Sequence, residues 1–160
     1  MLAFSADVYN TLKFIHVLAA IAWLGSGIYA QVLATRALRE GDPNHLGVVA
    51  RDIGELGKYL ITPASITVLV FAISLVAYSP AWNFTDAWIV VALVGYALTL
   101  VTGAGFLGPE SARLGKLAAE GHTPAEPEIQ RRIRRIVAVS RIDLVVLILV
   151  VADMVFKPGA

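Results

Sequence analysis

Four stretches of about twenty mostly apolar residues dominate the chain, at residues 12–35, 59–79, 87–107 and 136–156. A helix rises about 1.5 Å per residue, so each is long enough to cross a hydrocarbon core about 30 Å thick. That core holds no water to satisfy backbone groups, so such segments must be helices rather than open strands. Composition agrees. Of 160 residues, 58% are hydrophobic and 16% charged, and the mean hydropathy is +0.73. Ordinary soluble domains carry about 25% charged residues. The expectation is one all-α domain over residues 1–160, a polytopic membrane bundle of four transmembrane helices with amphipathic helical connections on the cytoplasmic side.

Several function classes drop out early. With no cysteine there is no disulfide, thiolate metal site or cysteine nucleophile. A net charge of +1 argues against nucleic acid as the main partner. There is no nucleophile elbow, no phosphate-binding glycine loop and no carboxylate-rich metal cluster. Two methionines supply a copper relay poorly.

The first stretch is longer than a cleaved signal's apolar run of about 7–15 residues, and its one early cation, Lys13, abuts it. It is expected to be a retained span. Orientation follows from lysine and arginine in the connections. Arg36, Arg39, Arg51 and Lys58 lie between the first two spans. Arg113, Lys116, Arg131, Arg132, Arg134 and Arg135 lie between the last two. The other side has only Lys13 and Lys157, and residues 79–86 carry neither type. Both long connections are therefore expected in the cytoplasm and both termini outside, in a bacterial inner membrane. Tyr78, Trp82 and Trp88 suit an outer aromatic belt.

The connections have helical signals of their own. Gly41 can end the first helix, Asp42 can cap the next, and Pro43 suits a first helical position. Leu46, Val49, Ile53, Leu56 and Leu60 then form one apolar stripe. Pro63 is placed to kink the second span. In the other connection, Leu107, Gly108 and Pro109 are expected to break or restart the third helix. A short amphipathic helix then ends at Gly121, and Thr123 and Glu126 have capping-box spacing. From about residue 128 one helix is expected to run through the arginines into the fourth span, with Ile129, Ile133 and Ile136 on its apolar face. Residues 39–43 and 119–124 match in form, a faint sign of a duplicated hairpin.

Ionisable groups inside a span are costly, so each is a candidate. His16 lies about one turn inside the first span and shares a face with Lys13, Ala20, Trp23 and Gly27. It is either a haem or metal ligand, a proton carrier, or a histidine bonded to the backbone or a carboxylate of a neighbouring helix. Asp153 lies at a similar depth in the fourth span. It either pairs with Lys157, four residues on, or orients His16. Met154 is a possible axial thioether or simple packing. Arg141 can snorkel to the headgroups, and Asp143 is a polar clamp or an ion route. Gly95, Thr99 and Gly103 form a small-residue face for helix packing, within the bundle or in a homodimer. Arg131, Arg132, Arg134 and Arg135 form a lipid-facing basic cluster, and His45 and His122 are expected to be solvated.

The run Lys13-Phe14-Ile15-His16-Val17-Leu18-Ala19-Ala20, followed by Trp23-Leu24-Gly25-Ser26-Gly27, resembles the first helix of CopD-like copper-resistance proteins and HemJ-type protoporphyrinogen oxidases. The ending Ala152-Asp153-Met154-Val155-Phe156-Lys157-Pro158 is similar to a narrower integral membrane family of four helices. The wider resemblance implies haem ligation by His16. HemJ-type proteins also use a third-span lysine, and residues 87–107 contain none. The resulting expectation is a non-catalytic membrane protein holding haem or another porphyrin through His16, with Trp23 packed on the ligand and Asp153 orienting it. The alternatives are a porphyrin-oxidising redox enzyme and a small transporter or accessory subunit using Asp143.

Overall fold

The computed structural model describes residues 2–123 and 125–159, all helix and short turns. The helices are α1 (Leu2–Glu40), α2 (Pro43–Leu56), α3 (Thr62–Tyr78), α4 (Ala87–Thr102), α5 (Gly108–Ala119) and α6 (Pro127–Phe156). Two π turns, Gly57–Ile61 and Gly103–Leu107, join α2 to α3 and α4 to α5 without interruption, leaving four rods. Each π turn precedes a proline by two residues, Pro63 and Pro109. Proline has no N–H to give and its ring crowds the carbonyl four residues back. The wider turn absorbs that conflict: the Thr62 and Gly108 N–H groups reach back five residues, to the Gly57 and Gly103 carbonyls. Leu107, Gly108 and Pro109 therefore do not break the third rod.

The boundary residues behave as their chemistry requires. Gly41 (φ 71°) ends α1 with its N–H on the Ala37 carbonyl. The Asp42 carboxylate accepts the Asn44 N–H at 2.9 Å, with Pro43 opening α2. Gly121 (φ 93°) ends α5, and the His122 N–H bonds the Leu117 carbonyl. Thr123 is not the cap of α6. Glu126 holds the capping position before Pro127, and its side chain turns back to accept the Thr123 N–H at 2.8 Å. Pro124, at the end of the second matching segment, lies outside the described residues.

Among the described residues, three rods are long and apolar enough to cross a membrane, over Ala6–Glu40, Asn44–Tyr78 and Ala87–Leu117. The fourth span expected at residues 136–156 lies in α6, which does not qualify on composition because Arg141, Asp143 and Asp153 fall within it. α1 packs along α3 and α6, and α6 packs along α4. α3 and α4, although consecutive, have no close backbone approach; Tyr96 bridges them by donating its hydroxyl to the Ser65 carbonyl at 3.2 Å. The Gly95 face is used inside the chain. Ile89, Ala92, Gly95 and Thr99 are buried on α4, opposite Leu147 and Val150 on α6. Only Gly103 of the small-residue face stays partly exposed.

A hydrophobic core is built at one end of the rods. Ala34, Ala37, Leu46, Val49, Ile129, Ile133 and Val137 bury one another where α1, α2 and α6 meet, with Leu114 and Leu117 of α5 packed against them. Leu46 and Val49 are buried from the expected stripe of α2, whereas Leu60, inside the π turn, is 41% exposed. At the opposite end, the Lys157 ammonium lies over the rings of Trp82 and Trp88, 4.4 and 5.3 Å from their centroids.

The connection after α5 holds a titrating pair. His122 Nδ1 is 2.8 Å from Glu126 Oε2. This hydrogen bond and the carboxylate's charge raise the His122 pKa, while the Thr123 N–H and then His122 lower that of Glu126. The histidine's contribution to folding is present below its unfolded value and lost as pH rises through the folded one. The glutamate's is present above its unfolded value and lost as pH falls. Both act together between about pH 4.3 and 6.5. Glu126→Gln should lower the His122 pKa toward the ordinary histidine value in an NMR titration; an unmoved midpoint would mean the pair is not formed in solution.

Candidate functional site

His16 is half-buried on α1, facing α3. Its Nδ1 lies 3.0 Å from the Val68 carbonyl oxygen. A carbonyl only accepts, so the tautomer follows from the partner: Nδ1 carries the proton and the neutral ring keeps its lone pair on Nε2. This is the arrangement that orients metal-ligating histidines, whose other ring N–H is held by a carbonyl or carboxylate. Two turns along, the Trp23 ring meets Tyr96 of α4 edge to face, 5.6 Å between centroids. Tyr96 bonds the Ser65 carbonyl, three residues before the one His16 uses. Imidazole and phenol thus both tie to one side of α3, with the indole between α1 and α4.

The other expected members are not joined to this group. The Asp153 Oδ2 is buried with no hydrogen-bond partner among the described residues, and no hydrogen bond links Asp153 to His16. Nor does Asp153 form the expected ion pair with Lys157. The chain turns left-handed at Lys157 (φ 44°), which donates its backbone N–H to the Asp153 carbonyl and sends its side chain to the two tryptophans. Met154 is half-buried on α6, without a hydrogen bond to the imidazole. Gly27, expected on the His16 face, has Leu144 of α6 against it, 3.5 Å from where a Cβ would stand. The Lys13 ammonium lies over the Tyr9 ring, 5.1 Å from its centroid.

A second polar group ties α1 to α6. Gln31 donates to the Val137 carbonyl and the Ser140 hydroxyl, which uses both of its N–H bonds on α6, and its Oε1 is buried without a partner. Arg141 donates to Thr35 Oγ1 at 3.4 Å rather than to Asp143, which is half-buried with no ion pair or hydrogen bond among the described residues. Gln31 and Tyr96 do not stand out in the sequence because neither is charged. The signal was available, since a side-chain amide or phenol inside an apolar run must find an acceptor or donor on another helix.

The arginine run divides. Arg132 bonds Glu110 and Glu128 at 3.1 and 3.0 Å, and Arg135 lies over the Phe106 ring at 5.2 Å, so these two bind α6 to the α4–α5 rod. Arg131 and Arg134 are exposed without an ion pair among the described residues. His45 lies 3.3 Å from Glu40. No group of three or more histidine, aspartate or glutamate side chains among the described residues could hold a metal ion.

A helical chain with three rods among the described residues apolar enough to span a membrane, and polar groups between them, matches one family model, described as "Predicted integral membrane protein (DUF2269)", over residues 10–158. The chain belongs to this family. Membrane insertion is what the family's description states, and it agrees with the apolar rods. The match bears out the narrower likeness carried by the ending at residues 152–158; the wider likeness to CopD-like and HemJ-type proteins rests on the His16 motif alone. No curated protein and no solved structure matches the chain.

Proposed function

We propose that this integral membrane protein holds haem, or a related porphyrin, through His16 Nε2, without catalysing a reaction. The observation that carries the reading is the hydrogen bond from Nδ1 to the Val68 carbonyl, which leaves Nε2 free and makes it a better donor to a metal. The donor set fits a macrocycle rather than a bare ion. A porphyrin brings its own four equatorial nitrogens, so one histidine suffices where no cluster of protein ligands exists. Trp23 and Tyr96 supply flat apolar surface two turns away. The missing third-span lysine favours binding over porphyrin oxidation.

In this reading α6 crosses the bilayer as the fourth span. It packs along α1 and α4, which are both apolar enough to cross. Arg141 reaches from its cytoplasmic half toward Thr35, and Asp153 lies within a turn of its outer end. The arginine-rich connections then face the cytoplasm, and the Trp82–Trp88–Lys157 cluster marks the outer interface of a bacterial inner membrane. The decisive measurement is the absorption spectrum of detergent-solubilised protein after haem loading. A Soret band at one haem per chain is expected. Protein that stays colourless, or turns over protoporphyrinogen, ends the proposal.

A further inference from the structure

The polar group between α1 and α6 opens into a groove of about 450 Å³, separate from His16. Three arginines line it: Arg36 and Arg39 from α1 and Arg141 from α6. The remaining lining is Gln31 and Thr35, with an apolar strip of Val32 and Leu144. No carboxylate lines the groove, and none of the three guanidinium groups is ion-paired among the described residues. The contrast with Arg132, which carries two carboxylate partners, is internal to the chain. Arg141 is tethered by its bond to Thr35 Oγ1 across the two helices.

The groove also has a direction. From Gln31 to Arg39 it follows α1 for about 12 Å, ending on the last turn of a rod apolar enough to cross the membrane. Val32, 50% exposed, lies toward the apolar end and the arginines toward the polar end. Unneutralised cations above an open aliphatic strip match one kind of molecule, a phosphate that carries an acyl chain. We propose that this groove is a specific site for an anionic phospholipid, with the phosphate among Arg36, Arg39 and Arg141 and an acyl chain along Val32 and Leu144. A free phosphate would use the arginines and leave the strip bare.

The test titrates short-chain phosphatidylglycerol into detergent-purified full-length protein and follows the thermal midpoint, alongside short-chain phosphatidylcholine and inorganic phosphate. Native mass spectrometry counts the lipid retained. Phosphatidylglycerol should raise the midpoint saturably and remain bound at one per chain, while the other two do neither. Each arginine replaced, as in Arg36→Gln or Arg141→Gln, should weaken binding about five-fold. Arg131→Gln with Arg134→Gln, outside the groove, should leave it unchanged. If Arg141→Gln does not fold, Arg36→Gln with Arg39→Gln leaves the Arg141–Thr35 bond intact and serves instead. Equal shifts from phosphatidylcholine, an equal shift from inorganic phosphate, or wild-type affinity in the groove variants would each overturn the site.

Discussion

In haem-loaded protein, His16→Ala is expected to abolish the Soret band, while His45→Ala and His122→Ala leave it at full height. The difference follows from position. His45 and His122 are exposed beside Glu40 and Glu126, whereas His16 is half-buried with its proton committed to Val68. The fold should survive the change. The Val68 carbonyl belongs to α3 and keeps its place in the helix, so the lost side-chain hydrogen bond costs about 1 kcal/mol. A lost band with a nearly unchanged thermal midpoint is therefore the signature of ligation. Tyr96→Phe is the companion measurement. It removes the hydroxyl bond to Ser65 but keeps the ring against Trp23, so the band should persist. A full band in His16→Ala would show that the imidazole serves only to join α1 to α3.

Gly95→Leu is expected to destabilise the protein by about 1–3 kcal/mol through overpacking. A side chain at Gly95 would run into Val150 of α6, a stiff β-branched residue packed in the same seam. Reversible unfolding in mixed micelles reads the loss, and Val150→Ala in the same chain should recover most of it. Gly103→Leu, eight residues along the same rod, is the control. A Cβ there meets nothing within 4 Å, so the substitution should be close to neutral. If both leucines cost the same, α4 does not pack on α6 through Gly95.

Local features of the fold were legible because their causes are local. Gly41, Asp42, Pro43 and Gly121 end and start helices through contacts within a few residues. The stripe of Leu46 and Val49, and that of Ile129 and Ile133, point inward as their spacing requires. Pro109 does not act as a stop because proline ends a helix only when the turn before it cannot widen, and the turn over Gly103–Leu107 does widen. The Asp153–Lys157 spacing misled because the helix ends between them. The site itself was half visible. His16 stands out as an imidazole in an apolar run, but its partner is a backbone carbonyl 52 residues away, which no side-chain pattern encodes. The same holds for Gln31, whose acceptors lie more than a hundred residues on.

The widened turns before Pro63 and Pro109 set the phase of each rod. One additional residue per turn offsets the angular position of everything beyond it by about 100°. The apolar stripe of α2 and the lipid-contacting surface of α3 therefore need not share a single line along the rod, and Leu60, inside the first widened turn, already departs from the line of Leu46 and Val49. Each rod can meet two unlike surroundings, protein at one end and hydrocarbon at the other, without a loop between them.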